Sequence, residues 1–445
     1  MNQNNDPSLH MNIHNHSFNQ DWSEFGGVYG NSRSDDHISI VSTSTHDTSA
    51  MLLPNGRVIA WGDERFGGQI PPEITQLQDI VSISSAYSAF AALRANGSVV
   101  AWGEKKYGGQ VPPDIAKLQD IVSLSSASRT FTALRANRSV VAWGNGISVP
   151  PEIAKLQDIV SISTTHGTFA ALRANRSVVS WGDQRYVGQI PPDIAKLQDI
   201  VSISSTYLAF AALRANRSVV AWGSENWGSL VPPDIAKLQD IVSLSSTLGT
   251  FAALRANGSV VSWGVEGQPP SEIAKLRDIV SLSASVLAFA ALRADRSIVV
   301  WGSKIGGGIL PPEIAVLKDI VSVQAASKSF VALRADRSVV AWGDRGDDEA
   351  DVISVPPEIA KLKDIVSLSA AKDAFAVLRA NGSVVTWGYK NSGYQVPPGI
   401  ARLRDIVSLE ASGNAFSVLR ANGERLGWDV HVYQGDRIVH SEYDD

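Results

Sequence analysis

The sequence predicts an all-β fold, a β-propeller-type repeat array of about ten short blades, and three observations lead there. Tryptophan recurs ten times, at Trp61, Trp102, Trp143, Trp181, Trp222, Trp263, Trp301, Trp342, Trp387 and Trp428, with spacings of 41, 41, 38, 41, 41, 38, 41, 45 and 41 residues. A period near 40 built of short apolar segments is the signature of propellers and related arrays. Nine of the ten tryptophans close a near-identical phrase, such as the one running from Ile200 to Gly223. Charged residues make up only 19% of the chain, below the roughly 25% of ordinary soluble domains. That deficit suits sheets covered on both faces by their neighbours. An open or spiral arrangement of the same blades is the alternative, because the repeat itself does not dictate closure.

One unit can be read element by element. Ile80–Ser84 is short and β-branched, as a strand should be. Phe90–Arg94 gives a second strand and Ser98–Trp102 a third. Between these two lies Asn96-Gly97, the strongest two-residue hairpin signal because both positions accept positive φ. Other units place Asn-Arg or Asp-Arg there, as at Asn216-Arg217 and Asp295-Arg296, and arginine tolerates that backbone less well. A short edge strand is expected at Gly109–Val111, ahead of a Pro-Pro-acid-Ile-Ala-Lys-Leu phrase. The prolines bar a central strand and suit a short helical turn. Leucine-rich repeats are excluded, since their period is 20–29 residues.

The spacings hold a longer period as well. Trp61 to Trp181 and Trp181 to Trp301 are both 120 residues, and Tyr87-Ser88-Ala89-Phe90 is echoed by Tyr207-Leu208-Ala209-Phe210. A block of three units was copied, so blade number follows from duplication. Residues 1–30 read as a flexible arm and 31–445 as one repeat domain. Its first unit, from Ile38 to Gly62, is degenerate, and its last, Gly427-Trp428-Asp429, continues into capping or closing strands near His431–Tyr433 and Arg437–Val439.

The phrase Ala-Leu-Arg-Ala-Asn-Gly-Ser-Val-Val-Ala-Trp-Gly, followed by Gly-Gln-x-x-Pro, resembles the regulator of chromosome condensation repeat family. It is most similar to the short-repeat bacterial branch, which includes a propeller-type β-lactamase inhibitor protein. The resemblance spans about residues 38 to 430. It implies a propeller whose loop face binds a protein. Family members are typically seven-bladed, whereas ten tryptophan units stand here.

The meander decides where function lies. In an up-down-up sheet, the first turn and the loop after Trp-Gly share one face, and the Asn-Gly hairpin occupies the other. Comparing units, the hairpin face is nearly uniform and the opposite face varies. On it an aromatic recurs four residues into the loop, at Phe66, Tyr107, Tyr186 and Trp227, joined by Tyr389 and Tyr394. Tyr87, His166 and Tyr207 come from the companion turns. Exposed aromatics flanked by charge are common interface anchors; the plainer account is that each ring packs over its own blade.

Other features point to scaffold. Nine arginines (Arg94 to Arg420) and nine aspartates (Asp79 to Asp405) recur once per unit, which implies internal pairing rather than a phosphate-binding ring. The insertion Asp344–Asp351 lacks the ligand pattern of a calcium loop and reads as a solvated acidic loop, and His10, His14 and His16 as scattered tail histidines. With no cysteine, thiol chemistry and disulfides are excluded. A net charge of −5 gives no basic footprint for nucleic acid. No apolar run approaches the roughly 18 residues of a membrane helix, and the start of the chain lacks a secretory pattern. The protein is expected to be soluble, cytoplasmic or exported without a classical signal peptide. No Walker, nucleophile-elbow or zinc-helix motif appears. The expectation is a non-enzymatic module, without cofactor or metal, that binds a protein partner as inhibitor, effector or recognition protein. Exchange on a small GTPase and carbohydrate binding are the alternatives.

Overall fold

The computed structural model describes residues 39–42, 48–145, 147–183, 189–265, 267–343, 353–388, 395–429 and 440–441. They form ten antiparallel sheets in chain order, nine of three strands and the last of four. The second sheet, β4 (Ile80–Ser85), β5 (Ala89–Arg94) and β6 (Val99–Gly103), is representative. The edge strand expected at Gly109–Val111 does not form. Gly108 turns the chain at φ 98°, and the following prolines offer no donors, so no ladder can be built there. The fourth strand of the last sheet, His440–Ser441, pairs instead with Leu426 and Gly427. His431–Tyr433 and Arg437–Val439, like residues 1–30, lie outside the described residues.

The hairpin differs from the expected two-residue turn. Arg94 N donates to Ser98 O and Gly97 N donates to Arg94 O, each at 2.9 Å, giving a three-residue loop in which only the third residue takes positive φ. Asn96 contributes its side-chain oxygen, which accepts from the Ser98 amide and hydroxyl. Arginine occupies the third position in five units with the same turn, at φ 62–63°.

Adjacent sheets pack face to face, and the core lies between them. Val41, Ala50 and Val58 of the first sheet meet Ile83, Phe90, Ala92 and Trp102 of the second, with Ile70 and Ile74 of the connecting turn sealing one end. Within each of sheets two to ten, phenylalanine and tryptophan are cross-strand partners with ring centroids 5.2–5.5 Å apart. Burying each such ring contributes roughly 1.5–3 kcal/mol. The hairpins of sheets one to nine also reach the next sheet, as where Ile121 N donates to Gly97 O. The nine arginines and nine aspartates pair one to one at 2.8–3.0 Å, as expected, bracing the bulge that leaves Val81 and its equivalents unpaired.

The array closes on itself. β28 (Ile406–Ser412) contacts β25 (Ile365–Ala370) of the ninth sheet and β1 (Ile40–Ser42) of the first. Ile40, Met51 and Trp61 of the first sheet share a core with Ala415 of the tenth. Gly427 permits this approach, since a Cβ there would lie 3.0 Å from Met51 Sδ and 3.2 Å from Trp61 Cη2. The open spiral is therefore excluded. Among the described residues no helix is long and apolar enough to cross a membrane.

Candidate functional site

The first turns of successive sheets are joined by backbone hydrogen bonds into a belt. Tyr87 N donates to Ser128 O, Ser128 N to His166 O, His166 N to Tyr207 O and Tyr207 N to Leu248 O, at 2.6–3.2 Å. It continues through Val286, Ser327 and Lys372 to Gly413. The loop after each tryptophan lies beside this belt, because Glu104 N donates to Ser88 O and Ser224 N to Leu208 O, both at 2.9 Å. Turns and loops thus share one face, as the meander requires.

Among the described residues three of those loops fold as a 3-10 turn, Glu64–Phe66, Lys105–Tyr107 and Glu225–Trp227, each ended by a left-handed glycine. The glycine is needed: a Cβ on Gly67 would sit 2.8 Å from the Phe90 ring of the next sheet. Its carbonyl accepts from Trp102 Nε1 at 3.0 Å, and Gly108 and Gly228 serve Trp143 and Trp263 alike. The turn lifts the preceding aromatic onto the rim.

The aromatics gather in two groups. Tyr87 and Tyr107 meet edge to face with centroids 5.3 Å apart, and the Arg129 guanidinium lies over both, 5.0 and 5.5 Å from their centroids. His166 lies 4.6 Å from Tyr207, which lies 4.9 Å from Trp227. Phe66 stands on the same rim beneath Arg65. All six rings are half-buried rather than exposed. Tyr107 rests on Tyr87, and Trp227 on Tyr207, each within its own sheet, and both seal neighbouring core clusters. The plainer account of the aromatics therefore holds in part for Tyr107 and Trp227. Tyr186, Tyr389, Tyr394 and the acidic insertion lie outside the described residues.

A cavity of about 850 Å³ opens between the two groups, lined by Ser128, Arg129, Asn145, His166, Trp181 and Asp183 among others. It sits where the loop after Trp143 is three residues shorter than in the 41-residue units. Desolvation, aided by the Arg129 charge and opposed by Asp183, lowers the His166 pKa to about 4, so the imidazole is neutral at physiological pH. Arg129, Trp181 and Asp183 did not stand out in the sequence as site residues. The available signal was the 38-residue spacing combined with polar residues in the adjoining turns.

No protein-family model matches the chain, and no curated protein matches it. Solved structures do. The CRINKLY WD40 ectodomain of the Arabidopsis thaliana receptor kinase ACR4 is 18% identical, with 58% of this chain and 90% of that one covered at a TM-score of 0.34. Prp20p from Saccharomyces cerevisiae is 16% identical over 66% and 78%, also at 0.34. Human WBSCR16 is 13% identical over 80% and 86%, again at 0.34. These superpositions are partial, and the closed ring of ten sheets rests on the strand pairing and contacts of this chain itself.

Proposed function

We propose that the ring is a non-enzymatic protein-binding module whose partner docks on the loop face between the second and fifth sheets. The observation that carries this reading is the backbone belt, which sets Tyr87, Arg129, His166 and Tyr207 side by side on four successive sheets. Tyrosine, tryptophan and arginine held on a rigid frame give contact area at little entropic cost, which is the composition of interface anchors. The sequence resemblance to the regulator of chromosome condensation repeats supports a protein partner of the same kind, as inhibitor, effector or recognition protein.

Affinity capture with mass spectrometry tests this, using the wild type beside a Tyr87→Ser, Tyr207→Ser double variant. Both residues are turn positions whose rings are half-buried, so a thermal melt of the variant accompanies the capture. A protein retained by the wild type and lost by a folded variant supports the reading. Equal retention by both removes the partner from this face. Binding of the wild type to a glycan array, with no protein captured, overturns the reading in favour of sugar recognition.

A further inference from the structure

The three-unit duplication places a control inside the molecule. Sheets two to four and five to seven are copies of one block, and each block ends with a 38-residue spacing, Trp143 to Trp181 and Trp263 to Trp301. Positions that the scaffold dictates should coincide between the copies. Around Trp181 stand Ser128, Arg129, Asn145 and His166; around Trp301 the same positions hold Leu248, Gly249, Val265 and Val286. The polar set is therefore not a requirement of the shortened loop.

The two copies differ in how they satisfy themselves. In the second, Gln268 Nε2 donates to Ser262 O at 2.7 Å and the Ser262 hydroxyl donates to Gly267 O, so the loop is stitched to its own sheet. In the first, the corresponding space is the cavity. Two of its lining residues carry a buried polar atom with no partner among the described residues, the Ser128 hydroxyl and Arg129 Nε, whereas the Trp181 indole is in the same state as that of Trp301 and does not distinguish the copies. Arg129 forms no ion pair among the described residues and is held flat on Tyr87 and Tyr107. A guanidinium Nε–H and a hydroxyl are donors, and donors without acceptors are costly when buried.

We propose that this cavity recognises a carboxylate, gripped by Arg129 with the Ser128 hydroxyl completing the donor set. A monoanion is specified because Asp183 and Glu152 line the same cavity and would repel a phosphate dianion. Guanidinium and carboxylate match as planar, bidentate partners. The volume lies within the range of ordinary small-ligand pockets, so the carboxylate has two sources, a free small acid or the acidic side chain of a docked polypeptide. The second source rests on the protein-binding reading above, and the first does not.

The test is fluorine NMR of the full chain labelled with 5-fluorotryptophan, with the Trp181 resonance assigned by its loss in Trp181→Phe. Butyrate is the free-acid probe, and N-acetyl-glutamate methylamide presents the same single carboxylate on a peptide backbone. The expected result is a saturable shift of Trp181 with at least one probe, an unmoved Trp301, and at least tenfold weaker binding in Arg129→Met. Partial retention in Arg129→Lys, with the other resonances in place, shows that charge rather than fold was lost. Tighter binding of butyrate assigns a free acid, and tighter binding of the capped glutamate assigns a docked side chain. No saturable shift by either probe overturns the proposal, as does undiminished binding by Arg129→Met. A silent titration alongside successful partner capture removes the pocket and leaves the docking face. A responsive titration with no captured partner does the reverse.

Discussion

Arg425 Nη1 lies 3.3 Å from Glu410 Oε1, where most other repeats place valine and serine. Both residues belong to the tenth sheet, and both reach the first, where the Ser39 hydroxyl bonds to each and the Ser39 amide donates to Glu410 Oε2 at 3.3 Å. Identical sheets would close the ring in any register, or add another copy. This charged clasp marks one seam as the end of the array.

Removing half of the clasp should cost more than removing all of it. Glu410→Ser leaves a largely buried guanidinium without its acceptor, and the expected loss is about 1–3 kcal/mol. Glu410→Ser with Arg425→Val restores the residues used in most other sheets and should recover most of that loss, giving a clear coupling in a double-mutant cycle. Chemical denaturation of the four proteins measures it. Additive losses would show that the pair does not act as a clasp. Hydrogen exchange should rise first in β1 and β28 of the single variant.

The arginine hairpins carry removable strain. Arg217 sits at φ 63°, where its sibling Gly97 sits at φ 76° without a side chain. A Cβ at Gly97 would lie 2.5 Å from Gln119 O, so the arginine units tolerate their Cβ by a small backbone shift. A non-glycine residue in this region costs roughly 1–2 kcal/mol. Arg217→Gly should therefore stabilise the protein by about 1 kcal/mol, less the entropy glycine adds to the unfolded chain. Gly97→Arg should destabilise it by a similar amount. An unchanged denaturation midpoint in both would show the turn to be unstrained.

These hairpins also show how far the sequence could be read. Ten strand triplets, the pairing of Arg94 with Asp79 and its eight equivalents, and the division into a uniform and a variable face all follow from residues a few positions apart. Asn-Gly announced a turn but not its length, because one positive-φ residue serves a three-residue loop as well as two serve the shorter one. Closure was not legible, since it depends on the small rotation between neighbouring sheets summed ten times. Glu410 and Arg425 were visible as departures, yet their meaning needs the first sheet beside them. The cavity at Trp181 likewise arises from a deletion of three residues, and a deletion has no side chain to read.

Gly67 tests the link between rim and core. At φ 100° it passes so close to Phe90 that a Cβ would lie 2.8 Å from the ring, and its carbonyl holds the Trp102 indole. Gly67→Ala should cost about 2–4 kcal/mol, from backbone strain plus overpacking. Gly423 has φ 91°, but a Cβ there would meet nothing within 4 Å, so Gly423→Ala should cost only about 1 kcal/mol from the backbone. Comparable losses at the two sites would mean that the contact with Phe90 contributes nothing. Differential scanning calorimetry of the two variants decides between these outcomes.

His166 should make the protein acid-sensitive. Its pKa falls from 6.5 in the unfolded chain to about 4 in the fold, chiefly through desolvation and secondly through Arg129, with Asp183 opposing. Between those values the unfolded state binds more protons, so stability rises with pH across this window. The contribution is complete above pH 6.5 and is lost as the pH drops toward 4. His166→Gln, which cannot gain the proton, should flatten this part of the profile. Denaturant midpoints at about pH 7.5 and pH 5 for the two proteins measure the effect, with a larger fall expected for the wild type. Equal falls would place the acid response elsewhere, in carboxylates common to both proteins. Protonation also sets a second positive charge beside Arg129, so occupation of the cavity by a carboxylate should shrink the fall in the wild type and leave that of His166→Gln unchanged.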